Sequence, residues 1–269
     1  MKNKEKVTEQ WNVWSDKYFA DQYENTATLS IIKNTPVKAF PVKVWEKINR
    51  LYPCLNGLKI CVPSSGDNLA VFAFHLLGAK VTSCDISSEQ IKNARRIADE
   101  QGWTIDFHIC DSMELDEIKE NEYDMVYTSN GVHTWISDFS VMYRNFNRIL
   151  KKGGHYIFFE THPFIRPFDD AENILKIKKP YSDTSNNDWR VQDYVNSLIE
   201  SELSILCMEE LSAEKDIIGA EWWNPVGWDE KANWHINPYA ALPQWISFCT
   251  IKQVISLHKN NLKEGSGLL

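Results

Sequence analysis

Apolar and polar residues alternate in blocks between residues 58 and 162, and these blocks have the lengths of strands and helices. Short apolar runs rich in β-branched and aromatic residues are typical of buried strands, and the longer runs between them are typical of amphipathic helices. The predicted strands cover 58–62, 80–84, 105–110, 123–129 and 155–161, and the predicted helices cover 69–77, 87–101 and 138–151. Regular alternation of strand and helix predicts an α/β fold with a doubly wound, mostly parallel sheet.

Capping residues lie where these predicted helices begin and end. Ser87 and Gln90 have the spacing of a capping box, and Asp138 is a suitable N-cap for the third helix. Gly102 follows the second helix as a C-terminal glycine, and the glycine pair at 153–154 is expected to end the third. The boundaries of the predicted helices therefore rest on local chemistry as well as on periodicity.

Residues 1–52 precede the predicted sheet, and we predict an N-terminal helical cap there. Trp11, Trp14 and Tyr18 recur at the spacing of one helix face. Two interpretations remain open: this face packs on the core, or it forms a lid whose rings cover a bound ligand. A second helix is predicted over residues 42–51.

The main domain is predicted over residues 53–258, with two insertions. The first insertion, 165–188, is polar, and the second, 211–245, is rich in tryptophan. Long loops inside a compact domain are usually functional, so we expect the second insertion to contribute to specificity, with packing or a dimer contact as alternatives. The remaining predicted elements are a helix at 191–200, strands at 203–210 and 246–253, which bring the sheet to seven strands, and a frayed tail at 259–269.

The charge and composition of the chain argue against several classes of protein. The net charge is −8, from 37 acidic and 29 basic residues, and basic clusters such as 176–179 are short, so we expect no nucleic-acid partner. No apolar run reaches the roughly 18 residues of a membrane span, and no apolar signal core is visible, so we expect a cytoplasmic protein without membrane association. The six cysteines form no CxxC pair, which favours reduced thiols over a metal site.

A polar turn at residues 63–68 links the first strand to the following helix and contains a single glycine, Gly66. Backbone N–H groups at such a helix start favour an anionic or acceptor-rich ligand. Asp85 ends the next strand, where a carboxylate suits the hydroxyls of a ribose. A dinucleotide-binding turn would have three glycines, GxGxxG, so an NAD-linked enzyme is the least favoured interpretation.

The stretch from this turn to the LKKGG turn at 150–154 resembles the class I S-adenosylmethionine-dependent methyltransferases, of the type 11/25-like group. The first motif of that family is roughly Asp/Glu-x-Gly-x-Gly-x-Gly. Aligned on Gly66, the acid falls on Val62, the first glycine on Ser64 and the last on Asn68. The resemblance implies a Rossmann-like methyltransferase fold whose last strand is antiparallel, with S-adenosyl-L-methionine as the cofactor.

The resemblance also implies a set of cofactor-binding residues. The missing family acid usually orients the methionine end of the cofactor, and Ser64, Ser65 or Asp67 could do so here. Asp111 fits the position that holds the adenine amino group, with a helix cap or turn as the alternative, and Tyr18 fits a lid tyrosine that reaches the cofactor carboxylate. The complete set is Tyr18, Ser64, Ser65, Gly66, Asp67, Asn68, Asp85, Ile86, Asp111, Ser112, Met113, Ser129 and Asn130.

The acceptor is expected beyond the ends of the fourth and fifth strands, because ligands of open α/β sheets bind near the point where strand order reverses. His133 is the candidate base or polar anchor, and a structural hydrogen-bonding histidine is the alternative. The candidate substrate-binding residues are Trp14, Trp135, His162, Trp222 and Trp223.

We therefore predict S-adenosylmethionine-dependent methyl transfer to a small-molecule acceptor by a protein that can form a homodimer. The alternative is a non-catalytic module on the same fold that binds an adenosyl cofactor or another protein, since Val62, Ser64 and Asn68 depart from the family motif.

Overall fold

A computed structural model of the chain describes residues 4–19, 23–24, 27–129, 131–169, 175–211 and 233–253. The helices are α1 (Lys4–Phe19), α2 (Thr28–Asn34), α3 (Val42–Leu51), α4 (Leu69–Leu76), α5 (Ser88–Gln101), α6 (Phe139–Ile149) and α7 (Val191–Glu200). The strands are β1 (Lys59–Pro63), β2 (Lys80–Asp85), β3 (Asp106–Ile109), β4 (Tyr123–Ser129), β5 (Leu150–Thr161), β6 (Phe168–Asp169), β7 (Lys176–Ile177), β8 (Leu203–Leu211) and β9 (Trp245–Lys252).

Seven of these strands form one sheet in the order β3-β2-β1-β4-β5-β9-β8. Strands β1 to β5 pair in parallel, and β9 lies antiparallel between β5 and β8. The doubly wound, mostly parallel sheet is therefore confirmed. The strand order reverses between β1 and β4, which places the switch point of the fold beside the polar turn after β1.

Alternate residues of the strands face two separate cores. Ile60 and Tyr127 point into the core covered by α3, α4 and α5, whereas Cys61, Val126 and Phe158 point into the core covered by α6 and α7. This alternation follows from the two-residue period of a strand. Because both faces of the sheet are covered, its carboxyl edge is the exposed place where loops from several strands meet.

The capping residues predicted from the sequence are confirmed at the start of two helices. The hydroxyl of Ser87 accepts a hydrogen bond from the N–H of Gln90 at 3.1 Å, and the carboxylate of Asp138 accepts one from Val141 at 3.0 Å. Gly102 ends α5 in the left-handed conformation with φ 69°. The starts of α5 and α6, on either side of the site, are thus set by their own sequences.

The prediction of where the third helix ends was wrong. α6 ends at Ile149, and the glycine pair lies inside β5, which already begins at Leu150. A Cβ atom on Gly154 would lie 2.9 Å from the carbonyl oxygen of Lys151 and 3.1 Å from that of Asp124. The glycine therefore permits close approach of two backbones instead of ending a helix. The α2 helix and the β6–β7 hairpin were not predicted.

No helix within the described part of the chain is long and apolar enough to cross a membrane.

Candidate functional site

The turn after β1 keeps a glycine-type backbone although the family glycines are largely replaced. Ser64 and Gly66 both have positive φ values, 50° and 45°. A Cβ atom on Gly66 would lie 2.5 Å from Oε1 and 2.7 Å from Cβ of Gln90, so glycine is required there. The N–H of Ser65 donates to the carbonyl of Cys84 at 3.0 Å, which ties the turn to β2.

The backbone N–H groups of this turn are largely used inside the protein. Those of residues 65 and 68 bond to backbone carbonyls, and that of Ala70 bonds to the side chain of Asn68 at 2.9 Å. The expectation that these groups point outward to an anionic ligand is therefore wrong for residues 65, 68 and 70.

Asp85 lies at the end of β2, next to the turn. Its carboxylate accepts a hydrogen bond from the N–H of Ser87 at 2.8 Å. Burial nevertheless raises the pKa of Asp85 to about 7. This half-buried carboxylate is oriented by the backbone of Ser87, and it suits neutral hydroxyl donors such as a ribose diol.

Asp67 places a second carboxylate beside Asp85. It is 7% exposed, and its Oδ2 atom has no hydrogen-bond partner among the described residues. Burial and then the charge of Asp85 raise the pKa of Asp67 to about 7. Two neighbouring carboxyl groups, one in the turn and one at the end of β2, favour a ligand that brings hydroxyls or positive charge, and disfavour a pyrophosphate.

The loop after β3 lies against the same turn. The hydroxyls of Ser112 and Ser64 hydrogen-bond at 2.6 Å. Asp111 accepts the N–H of Met113 at 2.8 Å, and the ammonium of Lys4 lies 3.4 Å from its second oxygen. Asp111 therefore acts as a turn residue, which was one of the two roles that the sequence left open. Its contact with adenine stays a prediction.

The end of β4 completes this cluster of loops. The side-chain amide of Asn68 donates to the hydroxyl of Ser129 at 3.2 Å, which joins the two strands on either side of the switch point. Asn130 lies outside the described residues. The structure therefore brings the predicted residues of β1, β2, β3 and β4 together at one edge of the sheet.

Helix α1 packs across α5 beside this edge. The side-chain oxygen of Asn12 accepts a hydrogen bond from the hydroxyl of Ser87 at 2.6 Å. The amide of Asn93 donates to the hydroxyl of Ser15 at 2.9 Å, and the hydroxyl of Tyr23 donates to the backbone carbonyl of Asp67. These anchors on α5 and on the β1 turn place the N-terminal segment against the site. Nothing in the sequence around Asn12 or Tyr23 indicated these contacts.

Four aromatic rings meet where α1 reaches the loop after β4. The ring of Trp135 lies 5.4 Å from that of Trp11 and 5.7 Å from that of Trp14, and Tyr18 lies 5.8 Å from both tryptophans of α1. All four side chains are half-buried. Since these rings of α1 contact the loop that follows a parallel strand, this arrangement favours the lid interpretation over simple packing on the core. Trp11 shared the helical spacing but was not among the predicted site residues.

His133 does not reach the site. Its ring is 1% exposed, with Nδ1 3.0 Å from the Glu160 carboxylate and Nε2 2.9 Å from the Tyr143 hydroxyl, in the core under α6 and α7. With both ring nitrogens bonded inside the protein, it cannot act as a base toward a ligand at the carboxyl edge. The candidate catalytic role is corrected to the structural alternative.

His162 is likewise occupied. Its Nδ1 accepts the N–H of Phe164 at 3.0 Å, and its Nε2–H donates to Glu210 at 2.9 Å. Because both ring nitrogens are engaged and the residue is buried, His162 is corrected from a candidate substrate-binding residue to a structural one. Trp222 and Trp223 lie outside the described residues.

Comparison with known proteins agrees with this geometry. A family model described as a methyltransferase domain matches residues 63–158, from the turn after β1 into β5. An uncharacterized methyltransferase of Bacillus subtilis (strain 168), YbaJ, is 27% identical over 157 residues, which are 56% of this chain and 58% of that protein. The match thus spans little more than half the length of that relative.

Two solved structures share the fold. An S-adenosylmethionine-dependent methyltransferase from Mesorhizobium loti has a TM-score of 0.58 at 21% identity, over 77% of this chain and 96% of that one. The geranyl diphosphate C-methyltransferase of Streptomyces coelicolor A3(2), solved with Mg²⁺, geranyl diphosphate and S-adenosyl-L-homocysteine, has a TM-score of 0.61 at 13% identity, over 93% and 97%.

Residues 63–158 thus match a methyltransferase domain, and the fold is the one found in solved S-adenosylmethionine-dependent methyltransferases. The cofactor of this class is S-adenosylmethionine, and the carboxylates and aromatic rings of the described site fit its hydroxyls and its positive charge.

Proposed function

We propose that the protein transfers a methyl group from S-adenosylmethionine to a small-molecule acceptor bound between the carboxyl edge of the sheet and helix α1. The observation that carries this proposal is the convergence of Asp67, Asp85 and Asp111 on an edge that is partly covered by aromatic rings. The cofactor, when bound, supplies an electrophilic methyl carbon. The chain itself has to bind, orient and exclude water.

Each part of the edge has a role in this proposal. Asp85 holds the ribose hydroxyls, and Asp111 accepts the adenine amino group. The half-buried rings of Trp14, Tyr18 and Trp135 lie where they can attract a sulfonium, at about 0.5–2 kcal/mol for each well-placed ring. As the methyl carbon bonds to the acceptor, its bond to sulfur breaks, and S-adenosylhomocysteine leaves. An acceptor O–H or N–H would also release its proton, to solvent.

A small acceptor is favoured over a macromolecular one. The formal net charge of −8 disfavours nucleic acid as the acceptor, and the aromatic rings of α1 and Trp135 suit an apolar or planar molecule. A protein base is needed only when the acceptor must lose a proton, so the burial of His133 does not argue against methyl transfer.

Isothermal titration with S-adenosylhomocysteine tests the cofactor site. We expect the wild type to bind, and Asp85→Ala to bind at least about tenfold more weakly because two ribose hydrogen bonds are lost. Asp99→Ala, an exposed acid on α5, is the matched control and should bind like the wild type. Absence of binding by the wild type, or unchanged binding by Asp85→Ala, would overturn the proposal. Binding without turnover across a panel of small acceptors would favour the non-catalytic alternative.

A further inference from the structure

The unpartnered oxygen of Asp67 is the polar feature of the site that the proposed roles leave unexplained. Buried polar atoms in folded proteins are nearly always hydrogen-bonded, and an unpaired buried carboxylate costs stability. Asp67 is 7% exposed, yet its Oδ2 has no partner among the described residues. The neighbouring charge of Asp85 increases the cost of ionising it. Such a group is expected where a ligand supplies the missing partner.

The other polar side chains of the turn are already engaged. The hydroxyl of Ser64 is bonded to Ser112 at 2.6 Å. The hydroxyl of Ser65 donates to the carbonyl of Val62 and lies 2.9 Å from the hydroxyl of Ser83. Among the three residues that the sequence offered in place of the missing acid, Asp67 is therefore the one whose side chain has an oxygen without a partner in the described structure.

The surroundings of Asp67 favour a cationic partner. The carboxyl group of Asp85 at the end of β2 neighbours that of Asp67, and the Tyr23 hydroxyl donates to the backbone carbonyl of Asp67. A metal ion would require more ligands than this pair, and no cluster of three or more metal-ligating side chains occurs within the described ranges. A primary ammonium needs only a few acceptors and one negative charge.

We infer that Asp67 binds the α-ammonium of the cofactor's methionine moiety, and so moves the cofactor-orienting carboxylate from position 62 to position 67 of the same turn. This inference rests on the proposed function. Val62 is 1% exposed and packs in the apolar core, where an acid would be unpaired. The carboxylate five positions later lies at the same strand end but in polar surroundings.

The test compares two ligands on one variant. S-adenosylhomocysteine has the ammonium, and 5′-methylthioadenosine has the adenosyl thioether without the amino-acid part. We expect Asp67→Asn to raise the Kd for S-adenosylhomocysteine about 10- to 100-fold in isothermal titration, as for a lost hydrogen bond between charged groups. Binding of 5′-methylthioadenosine should change less than about twofold. Asp99→Asn, at an exposed position, is the matched control for both ligands.

Thermal unfolding of the free protein separates a binding role from a structural one. Removal of an unpaired buried charge should leave the Tm of Asp67→Asn equal to or above that of the wild type at pH 8. Unchanged binding of S-adenosylhomocysteine by Asp67→Asn would overturn the inference. An equal loss of binding for both ligands would also overturn it, and a lowered Tm would then show that the role of Asp67 is structural. A wild type that binds neither ligand would instead overturn the proposed function itself.

Discussion

The imidazole of His133 lies 3.0 Å from the carboxylate of Glu160, and both side chains are 1% exposed. Glu160 also accepts the backbone N–H groups of His133 and Thr161 at 3.1 and 2.8 Å. Although burial opposes its ionisation, these bonds lower the pKa of Glu160. The pair therefore ties the loop after β4 to β5 from inside the core.

Removal of this carboxylate should affect stability and leave ligand binding intact. Glu160→Ala leaves a buried histidine without its partner, so we expect the free energy of unfolding to fall by about 3–5 kcal/mol in urea titration. The Kd of the folded protein for S-adenosylhomocysteine should change less than about twofold. Glu100→Ala, an exposed acid at the end of α5, is the control and should be neutral. Wild-type stability combined with lost turnover would return His133 to the catalytic residues.

Gly66 should tolerate no side chain because of Gln90. Both Gly66→Ala and Gly57→Ala place alanine at positive φ, 45° and 79°, which costs about 1–2 kcal/mol. The space around Gly57 is open, whereas the Cβ at position 66 meets the Gln90 side chain at 2.5 Å. We therefore expect Gly66→Ala to destabilise the protein more than Gly57→Ala in urea unfolding, and to weaken S-adenosylhomocysteine binding.

A double variant isolates that contact. We expect Gly66→Ala to cost more unfolding free energy than Gly57→Ala because of its contact with Gln90. Adding Gln90→Ala to Gly66→Ala should remove this excess, because only the backbone strain then remains. Strictly additive losses in the double variant would show that the contact between these two residues is not the cause.

The carboxyl groups of Asp67 and Asp85 should make stability depend on pH. The pKa values of Asp67 and Asp85 are raised from 3.8 to about 7 in the folded protein. A raised pKa contributes stability that is present below about pH 4 and is lost as the pH rises through about 7. Asp67→Asn removes one such group, so its stability relative to the wild type should increase between pH 4 and 8, by at most about 4 kcal/mol.

Urea unfolding of the wild type and of Asp67→Asn at several pH values gives the difference between their unfolding free energies. The histidines contribute equally to both proteins, so their contribution cancels in this difference. A constant difference across that range would show that Asp67 titrates normally and would contradict its burial in the free protein.

The aromatic face of α1 should protect the bound ligand. Trp11 contacts Trp135 at 5.4 Å, so Trp11→Ala should separate α1 from the loop after β4 and weaken S-adenosylhomocysteine binding several-fold. Hydrogen exchange of the α1 amides should slow on ligand binding in the wild type and less so in this variant. Val13→Ala, on the opposite face and 70% exposed, is the matched control. Equal behaviour of the two variants would exclude a lid.

Errors in the sequence-based prediction occurred where distant parts of the chain meet. The glycine pair at 153–154 resembles a helix stop, and its contact with the Asp124 backbone lies outside any local window. His133 follows β4 as a site residue should, but the short 3-10 turn Val132–Trp135 directs it into the core while Trp135 contacts α1. The side chains of neighbouring residues in such a turn diverge, so position along the chain did not decide which one faces the site.

The sequence by itself determined the order of strands and helices, the caps of α5 and α6, and the presence of a lone glycine and an acid on successive strand ends. These features depend on hydrophobic period and on capping within a few residues, which are local properties of the chain. Only the tertiary structure decided that Asn12 anchors α1 on α5, that His133 is structural and that Asp67 has an unpartnered oxygen. Burial and pairing depend on which distant segments pack together, and the free energy of a charged group depends on that packing more than on its sequence neighbours.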